Sequence, residues 1–293
     1  MFYKLPLVSV IIPTYHDWDR LQLCIDALKR QSYPADKFEV IIVNNDPDDV
    51  PPDLNLNNNF FFTTESKCGS YAARNAGIKI SRGEVLAFTD SDCIPDKKWI
   101  ENAVSSLSSE YPRIAGGITL FFSGNYLTIA EIYEKAHAFP QAKHVNQDDF
   151  GATANMITYR SVFDMVGYFD ESLFSGGDLE WGQRAASHGF QIKYLENTIV
   201  YHPARKNLQE ILNKSRRLVG GKYSCADNKV KFVSKYFLLQ LLPPIFVGRD
   251  IFLRNNLTLY EKLISILVFY FLKLSKNIEL ASLVLGIKNP ERK

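Results

Sequence analysis

Apolar runs of strand length alternate with helix-period segments through the first hundred residues. Val8-Ser-Val-Ile-Ile-Pro-Thr14 and Phe38-Glu-Val-Ile-Ile-Val43 are nearly continuous rather than alternating, the pattern of strands buried on both faces of a parallel sheet. Between them, Asp17 or Asp19 can cap a helix whose apolar positions Leu21, Ile25 and Leu28 share one face. Phe60 to Thr64 reads as a short third strand. Ser70 to Ser81 reads as a helix rich in small residues (Ala72, Ala73, Ala76), and it leads through Arg82-Gly83 into the apolar run Val85 to Phe88. Pro95 and Asp96 open another helix, with Ile100, Val104 and Leu107 on its inner face. Strands and helices in this rhythm need crossover connections, so the expected class is α/β with a doubly wound, mostly parallel sheet.

The pattern loosens after residue 113. Arg113 to Phe122, Ala152 to Tyr159, Gln191 to Leu195 and Thr198 to Tyr201 read as strands, the last ending on His202-Pro203. Leu127 to Phe139, Ser161 to Val166 and the stretch from Asp178 to His188 read as helices. Gln141 to Phe150 is polar and is expected to be a mobile segment able to close over a ligand. The last ninety residues are helical in pattern, which places a domain over residues 1–205 and a helical extension over 206–293. Two apolar runs in that extension, Phe237 to Val247 and Leu263 to Leu272, fall short of the roughly 20 residues that cross a bilayer.

Composition adds a charge asymmetry to this picture. With 46% hydrophobic and 23% charged residues the chain has ample material for a core and is neither disordered nor fibrous. Residues 203–293 carry 17 Lys/Arg against 6 Asp/Glu, and the first 202 residues carry 17 against 26. The basic extension implies an anionic partner, for which phosphate or an anionic membrane surface is preferred over nucleic acid; a solvated basic face is the alternative. With Lys and Arg flanking the apolar runs, the helices either lie on an anionic inner leaflet or cap the core. Cys24, Cys68, Cys93 and Cys225 have no CxxC spacing and read as reduced thiols of a cytoplasmic protein, peripheral on the inner face of the membrane at most. The amino terminus runs into the first strand without a signal-peptide apolar core.

The chemistry begins where an apolar strand stops on two carboxylates, Asp90-Ser91-Asp92. At the carboxyl edge of a parallel sheet, two acids one residue apart can share a hard divalent cation that grips a diphosphate; a solvated Asx turn is the simpler reading. Asp178, opening a helix after Gly176-Gly177, is either a catalytic acid or an ordinary N-cap.

Four features in order resemble the family 2 glycosyltransferases: Val8 to Tyr15, Gly69-Ser-Tyr-Ala-Ala-Arg-Asn-Ala-Gly-Ile78, Gly83-Glu84 through Asp90-Ser-Asp92 to Pro95, and Gly176-Gly-Asp-Leu-Glu-Trp-Gly182. The resemblance covers about residues 7–205. It implies a GT-A fold, a nucleotide-diphosphate sugar donor, Mg²⁺ or Mn²⁺, and inverting transfer to a saccharide, lipid-linked or other hydroxyl acceptor, as in cell-surface polysaccharide or glycolipid synthesis. By the same resemblance Asp92 is the metal ligand, with His202 a candidate second ligand or a buried strand-end histidine. Asp178 is the catalytic base, with Glu180 as fallback. Pro13, Thr14, Tyr15, Asn44, Arg74, Asp90 and Ser91 are donor-binding. Trp181, Arg205, Arg216 and Arg217 are candidates for acceptor or phosphate contacts, weighed against burial for Trp181 and solvation for the arginines. The family usually carries Glu-Asp where this chain has Gly177-Asp178. Two further readings stand beside this one, a sugar nucleotidyltransferase, which normally has a Gly-rich loop after its first strand, and a non-catalytic nucleotide- or glycan-binding scaffold.

Overall fold

The computed structural model describes residues 5–122, 124–137, 139–173, 175–224 and 228–288; Cys225 lies outside them. The chain divides into two compact units, one of residues 1–120, 139–173 and 177–203, the other of residues 121–138, 174–176 and 204–293.

The first unit is built on an eight-stranded sheet. Its strands are β1 (Val8–Thr14), β2 (Phe38–Asn44), β3 (Phe60–Thr64), β4 (Val85–Thr89), the two-residue β5 (Ile94–Pro95), β6 (Arg113–Phe121), β7 (Asn155–Tyr159) and β8 (Ile192–Pro203), in the order β3-β2-β1-β4-β7-β6-β8-β5. β3, β2, β1 and β4 are parallel, while β7 runs against β4. All residues of β1, β2 and β4 are buried, which explains why their sequences are apolar without alternation.

Helices α1 (Trp18–Leu28), α2 (Ser70–Ile80) and α3 (Trp99–Ser106) follow the strands as crossovers. Leu21, Ile25 and Leu28 of α1 join Val10, Ile12, Val40 and Ile42 in one core cluster. The small residues of α2 bring it close to the sheet: a Cβ on Gly77 would stand 2.6 Å from Ile11 Cγ2, so a larger side chain would lift the helix. A second cluster, Phe88, Phe163, Phe169 and Trp181, packs α6 (Arg160–Val166) and α7 (Gly177–Ser187) on the other side of β4.

Two expectations are corrected. Gln141–Asp148 is a helix, α5, rather than a mobile closing segment. Its anchor is polar: the Gln141 amide donates to the carbonyls of Gly116 and Asn155 and accepts the Ala152 N–H. The two short strands expected between Gln191 and Tyr201 are one strand, because pairing carries it through the polar Glu196-Asn197 step.

The second unit is helical, with α4 (Ile129–His137), α8 (Leu208–Ser224), α9 (Lys229–Leu241), α10 (Ile245–Phe252) and α11 (Leu259–Val284). Thr258 and Glu261 form a reciprocal capping box at the start of α11. Ala130, Ile211, Val268 and Leu272 form one of its cores and Val219, Leu280 and Leu283 another. No single helix among the described residues is long and apolar enough to cross a membrane; α9 and α10, bent by 49° at their break, pass that test only together.

Candidate active site

Parallel pairing puts the carboxyl ends of β1, β2 and β4 on one edge. Thr14 lies in register with Asn44, and the chain leaves β4 at Thr89 to deliver Asp90 and Asp92 to that edge. β5 then pairs antiparallel with β8, Ile94 opposite Tyr201, which sets His202 beside Asp92 and Cys93. His202 Nε2 is 3.6 Å from Asp92 Oδ2, and ligand atoms of Asp92, Cys93 and His202 all lie within 4.8 Å of one another.

The turn after β4 is tightly tied. The Ser91 hydroxyl bonds Asp17 Oδ2, Asp17 Oδ1 accepts from Arg20 Nε at 2.6 Å, and Arg20 Nη1 is 3.7 Å from Asp92 Oδ2. Asp17 makes no capping bond to α1; its carboxylate serves the site instead. Burial pushes the Asp92 carboxyl up from its ordinary value; His202 and Arg20 oppose this, and Asp90 and Asp17 reinforce it. The Cys93 thiol is driven well up by burial and by the same two acids, Asp92 and Asp90, so it is a protonated thiol.

From Asp90 the contacts continue to Asp178. Arg74, on α2 and only 5% exposed, forms an ion pair with Asp90, and its guanidinium lies 5.7 Å from the centre of the Tyr71 ring. The Tyr71 hydroxyl donates to Asp178 Oδ1 at 3.2 Å and accepts the Asp178 backbone N–H at 3.3 Å. Leu179 N–H also donates to Asp178 Oδ1, at 3.0 Å, whereas Oδ2 has no hydrogen-bond partner among the described residues. Burial raises the Asp178 carboxyl above its usual value, against the pull of the Arg74 charge. The Tyr71 ring occupies the space over Gly177, where a Cβ would meet ring carbons at 2.7 to 2.9 Å.

Other sequence candidates take varied positions. Pro13 and Thr14 are buried at the end of β1, and Thr14 Oγ1 has no partner among the described residues. Tyr15 stands at the same edge, its ring 4.3 Å from that of His16. The Asn44 amide is taken up by its own loop, donating to the carbonyls of Asp46 and Asp49 and accepting the Asp46 N–H. Trp181 is fully buried, stacked 4.2 Å from Phe163 and donating to the Gly167 carbonyl, so it offers no face to a sugar. Glu180 is bound to Arg184. Arg205 pairs with Glu134 and Arg216 with Glu279 in the second unit, where Arg217 also lies on α8. Sequence reasoning missed Tyr71, Asp17 and Arg20 as members of the site. The Asp17/Arg20 spacing at a helix start and the glycine before Asp178 are the signals that could have found them.

The sequence of this chain matches the family model described as glycosyl transferase family 2 over residues 9–167. The glycosyltransferase AglE of Haloferax volcanii is 32% identical over 265 residues, covering 86% of this chain and 87% of that protein. A dolichyl N-acetyl-alpha-D-glucosaminyl phosphate 3-beta-D-2,3-diacetamido-2,3-dideoxy-beta-D-glucuronosyltransferase of Methanococcus voltae is 22% identical over 228 residues, 71% of this chain and 70% of that one. Among solved structures, the mannosyltransferase PcManGT from Pyrobaculum calidifontis in complex with GDP-Man and Mn²⁺ superposes with a TM-score of 0.60 at 17% identity, over 94% of this chain and 88% of that one. S. aureus TarS 1–349 superposes with a TM-score of 0.52 at 18% identity, over 96% and 92%; both likenesses concern the fold, which is that of the GT-A glycosyltransferases. Matched over half its length by the family model and over most of its length by a relative, the chain belongs to glycosyltransferase family 2 and is a glycosyltransferase that draws on a nucleotide-sugar donor.

Proposed function

We propose that the chain is a metal-dependent, inverting glycosyltransferase that moves a sugar from a nucleoside-diphosphate donor to the hydroxyl of a saccharide or lipid-linked acceptor, in the synthesis of a cell-surface polysaccharide or glycolipid. The observation that carries this reading is the pair of contact series that meet on the turn after β4, His202 with Asp92 on one side and Asp90 through Arg74 and Tyr71 to Asp178 on the other. It supports one cleft with metal ligands at one end and a base at the other.

The residues present fit a hard divalent cation. His202 Nδ1 lies 2.7 Å from the Pro203 carbonyl; a proton on Nδ1 makes that bond and leaves the Nε2 lone pair facing Asp92 Oδ2. Two acceptors turned toward one another suit Mg²⁺ or Mn²⁺ between them, with Asp92 and His202 as ligands and Asp90 nearby. Cys93 offers soft sulfur, which suits Mg²⁺ or Mn²⁺ poorly, and we assign it to packing rather than to the ion. A bound divalent cation supplies charge neutralisation of the departing diphosphate. That PcManGT is in complex with GDP-Man and Mn²⁺ supports a divalent cation alongside the donor.

Arg74 holds Asp90 in place and lends its charge to the cleft. Thr14 and Tyr15, with Pro13 and Ser91, shape the edge that receives the nucleoside, and Asn44 fixes the loop beside them. Asp178 takes the acceptor's proton on its free Oδ2, and its raised pKa makes it a stronger base than an exposed carboxylate. A single base facing the donor suits direct displacement with inversion.

A lipid-linked acceptor is supported by the name of the Methanococcus relative. We place the protein at the inner face of the membrane on account of Leu242, Ile245 and Phe246, which stand exposed at the α9–α10 break after the lysine-bearing α9. The test is a donor screen with UDP-, GDP- and dTDP-sugars and Mn²⁺ or Mg²⁺, following release of nucleoside diphosphate and the anomeric configuration of the product. Metal-independent turnover, or retention of configuration, would overturn the corresponding half of the proposal.

A further inference from the structure

The second unit contains a cavity of about 170 Å³, lined by Tyr133, Glu134 and His137 of α4, Lys214 and Ser215 of α8, and Lys276 of α11. Three of its polar groups lack partners among the described residues. Ser215 is 6% exposed and its hydroxyl bonds nothing; His137 Nε2 is buried and bonds nothing. Lys276 is half-buried and has no carboxylate partner among the described residues, and burial, then Lys222 and Lys273, push its ammonium below the ordinary lysine value. The one acid on the cavity wall is already engaged: Glu134 accepts 2.6 Å bonds from both the backbone N–H and Nη1 of Arg205. Glu279 faces Arg216 and Lys288. The His137 ring is clamped between Tyr133 and Phe269, at 4.5 and 5.1 Å; burial, helped by Arg254 and Lys276, holds its pKa down to about 4 against a hydrogen bond to the Ser265 backbone, which takes the ring N–H and leaves Nε2 with its lone pair.

A half-buried cation, a buried hydroxyl and a buried imidazole nitrogen without partners form an unfavourable group unless something brings acceptors to the first two and a donor to the third. We propose that this cavity binds the phosphate of a phosphate monoester as its monoanion, with Lys276 and Ser215 donating to its oxygens and the Nε2 lone pair of neutral His137 accepting from its remaining hydroxyl. The set favours phosphate over carboxylate, because its groups come from three different helices and include an acceptor as well as donors, and a phosphate monoanion carries both acceptor oxygens and a hydroxyl proton to give. A tetrahedral oxyanion offers three terminal oxygens to such a set, whereas a carboxylate offers two in one plane. Ile211, Leu218 and Leu272 complete the lining, so the wall also accommodates the hydrocarbon side of an ester. The site rests on residues of the second unit alone and does not depend on the donor-site reading.

The experiment is calorimetric titration of the full-length protein with inorganic phosphate and with decyl phosphate, using sodium sulfate as the control oxyanion. Wild type is expected to bind phosphate, and Lys276→Gln to weaken it by about tenfold or more, Ser215→Ala by somewhat less. Asp92→Ala is expected to leave this binding intact, which separates failure here from failure of the donor site. Folding is monitored by the melting temperature without ligand, expected to be unchanged or raised in Lys276→Gln because an unpaired enclosed charge is removed. Tighter binding of decyl phosphate, with preference for phosphatidic acid over phosphatidylcholine vesicles, identifies a lipid headgroup; equal affinity for both probes identifies free phosphate. Unchanged binding in both variants, or no binding of either probe by wild type, would overturn the proposal.

Discussion

Asp178→Asn is the substitution that separates chemistry from architecture in this site. Asp178 Oδ1 receives two N–H or O–H bonds, from Leu179 and Tyr71, while Oδ2 is left for a substrate. An asparagine of the same shape retains the oxygen that holds those bonds and replaces the free oxygen with an amide nitrogen, which has no lone pair for a proton. Loss of general-base assistance costs about 10²- to 10⁴-fold in rate, or about 3–5 kcal/mol of barrier. The stability effect runs the other way. Because the folded-state pKa is raised, the native fold disfavours the ionised carboxyl: there is no penalty below the unfolded pKa, and one develops as pH rises through the folded value. Asparagine removes it, so the melting temperature at neutral pH is expected to be equal or higher while kcat collapses and donor KM changes little. The wild-type rate should fall in acid along a limb lying above the ordinary aspartate range, as the base is protonated. Nucleoside diphosphate release against pH, with thermal melting of both proteins, reads all of this. A variant within about threefold of wild type, together with loss of activity in Glu180→Gln, would show that the base is elsewhere.

Asp92→Ala is expected to abolish Mn²⁺-dependent donor binding measured by calorimetry, with the fold retained by circular dichroism. Cys93→Ser should preserve that metal dependence while His202→Ala weakens it by about tenfold or more; the opposite result would make the thiol a ligand. Gly177→Ala puts a Cβ 2.8 Å from the ring carbon that bears the Tyr71 hydroxyl, and is expected to lower kcat by about tenfold with a loss of about 1–3 kcal/mol in stability by denaturant titration. Replacing Leu242, Ile245 and Phe246 with glutamine should reduce flotation with anionic vesicles by about a hundredfold or more, and unchanged flotation would exclude the α9–α10 break as the contact.

The parallel half of the sheet was legible in the sequence because burial on both faces leaves an unmistakable apolar run, and Asp90 and Asp92 announced themselves as carboxylates ending such a run. Elements held by polar contacts were not legible. Gln141–Asp148 has little apolar periodicity, and its position rests on the Gln141 amide reaching backbone groups of β6 and β7. The break expected at Glu196-Asn197 follows local propensity, but pairing in the sheet carries the strand across it, and the Asn197 carbonyl accepts the Asn102 amide. Arg205 and Arg216 look from sequence like cations awaiting phosphate, since nothing in their spacing shows that Glu134 and Glu279 reach them from distant helices. The long-range partnership of Tyr71 with Asp178, 107 positions apart, is invisible to any local pattern.

That partnership accounts for the departure at Gly177. A Glu-Asp pair at this point, as the family resemblance leads one to expect, would put a second carboxylate next to Asp178. Here glycine leaves room for the Tyr71 ring, and the phenol supplies both a donor for Asp178 Oδ1 and an acceptor for its backbone N–H. Burial raises the phenol's own pKa, so it remains a neutral donor across the working range of the base. One negative charge fewer stands in the cleft, and Arg74 has only Asp90 and Asp178 to balance rather than three acids. The positioning that a second acid would provide by charge is provided by a rigid ring, packed at a tilt 5.6 Å from Phe169 of the core that fixes α7. Asp178 is thereby tied to the hydrophobic core through a phenol rather than to a second carboxylate, and the acid limb of the proposed base is expected to report a single ionisation.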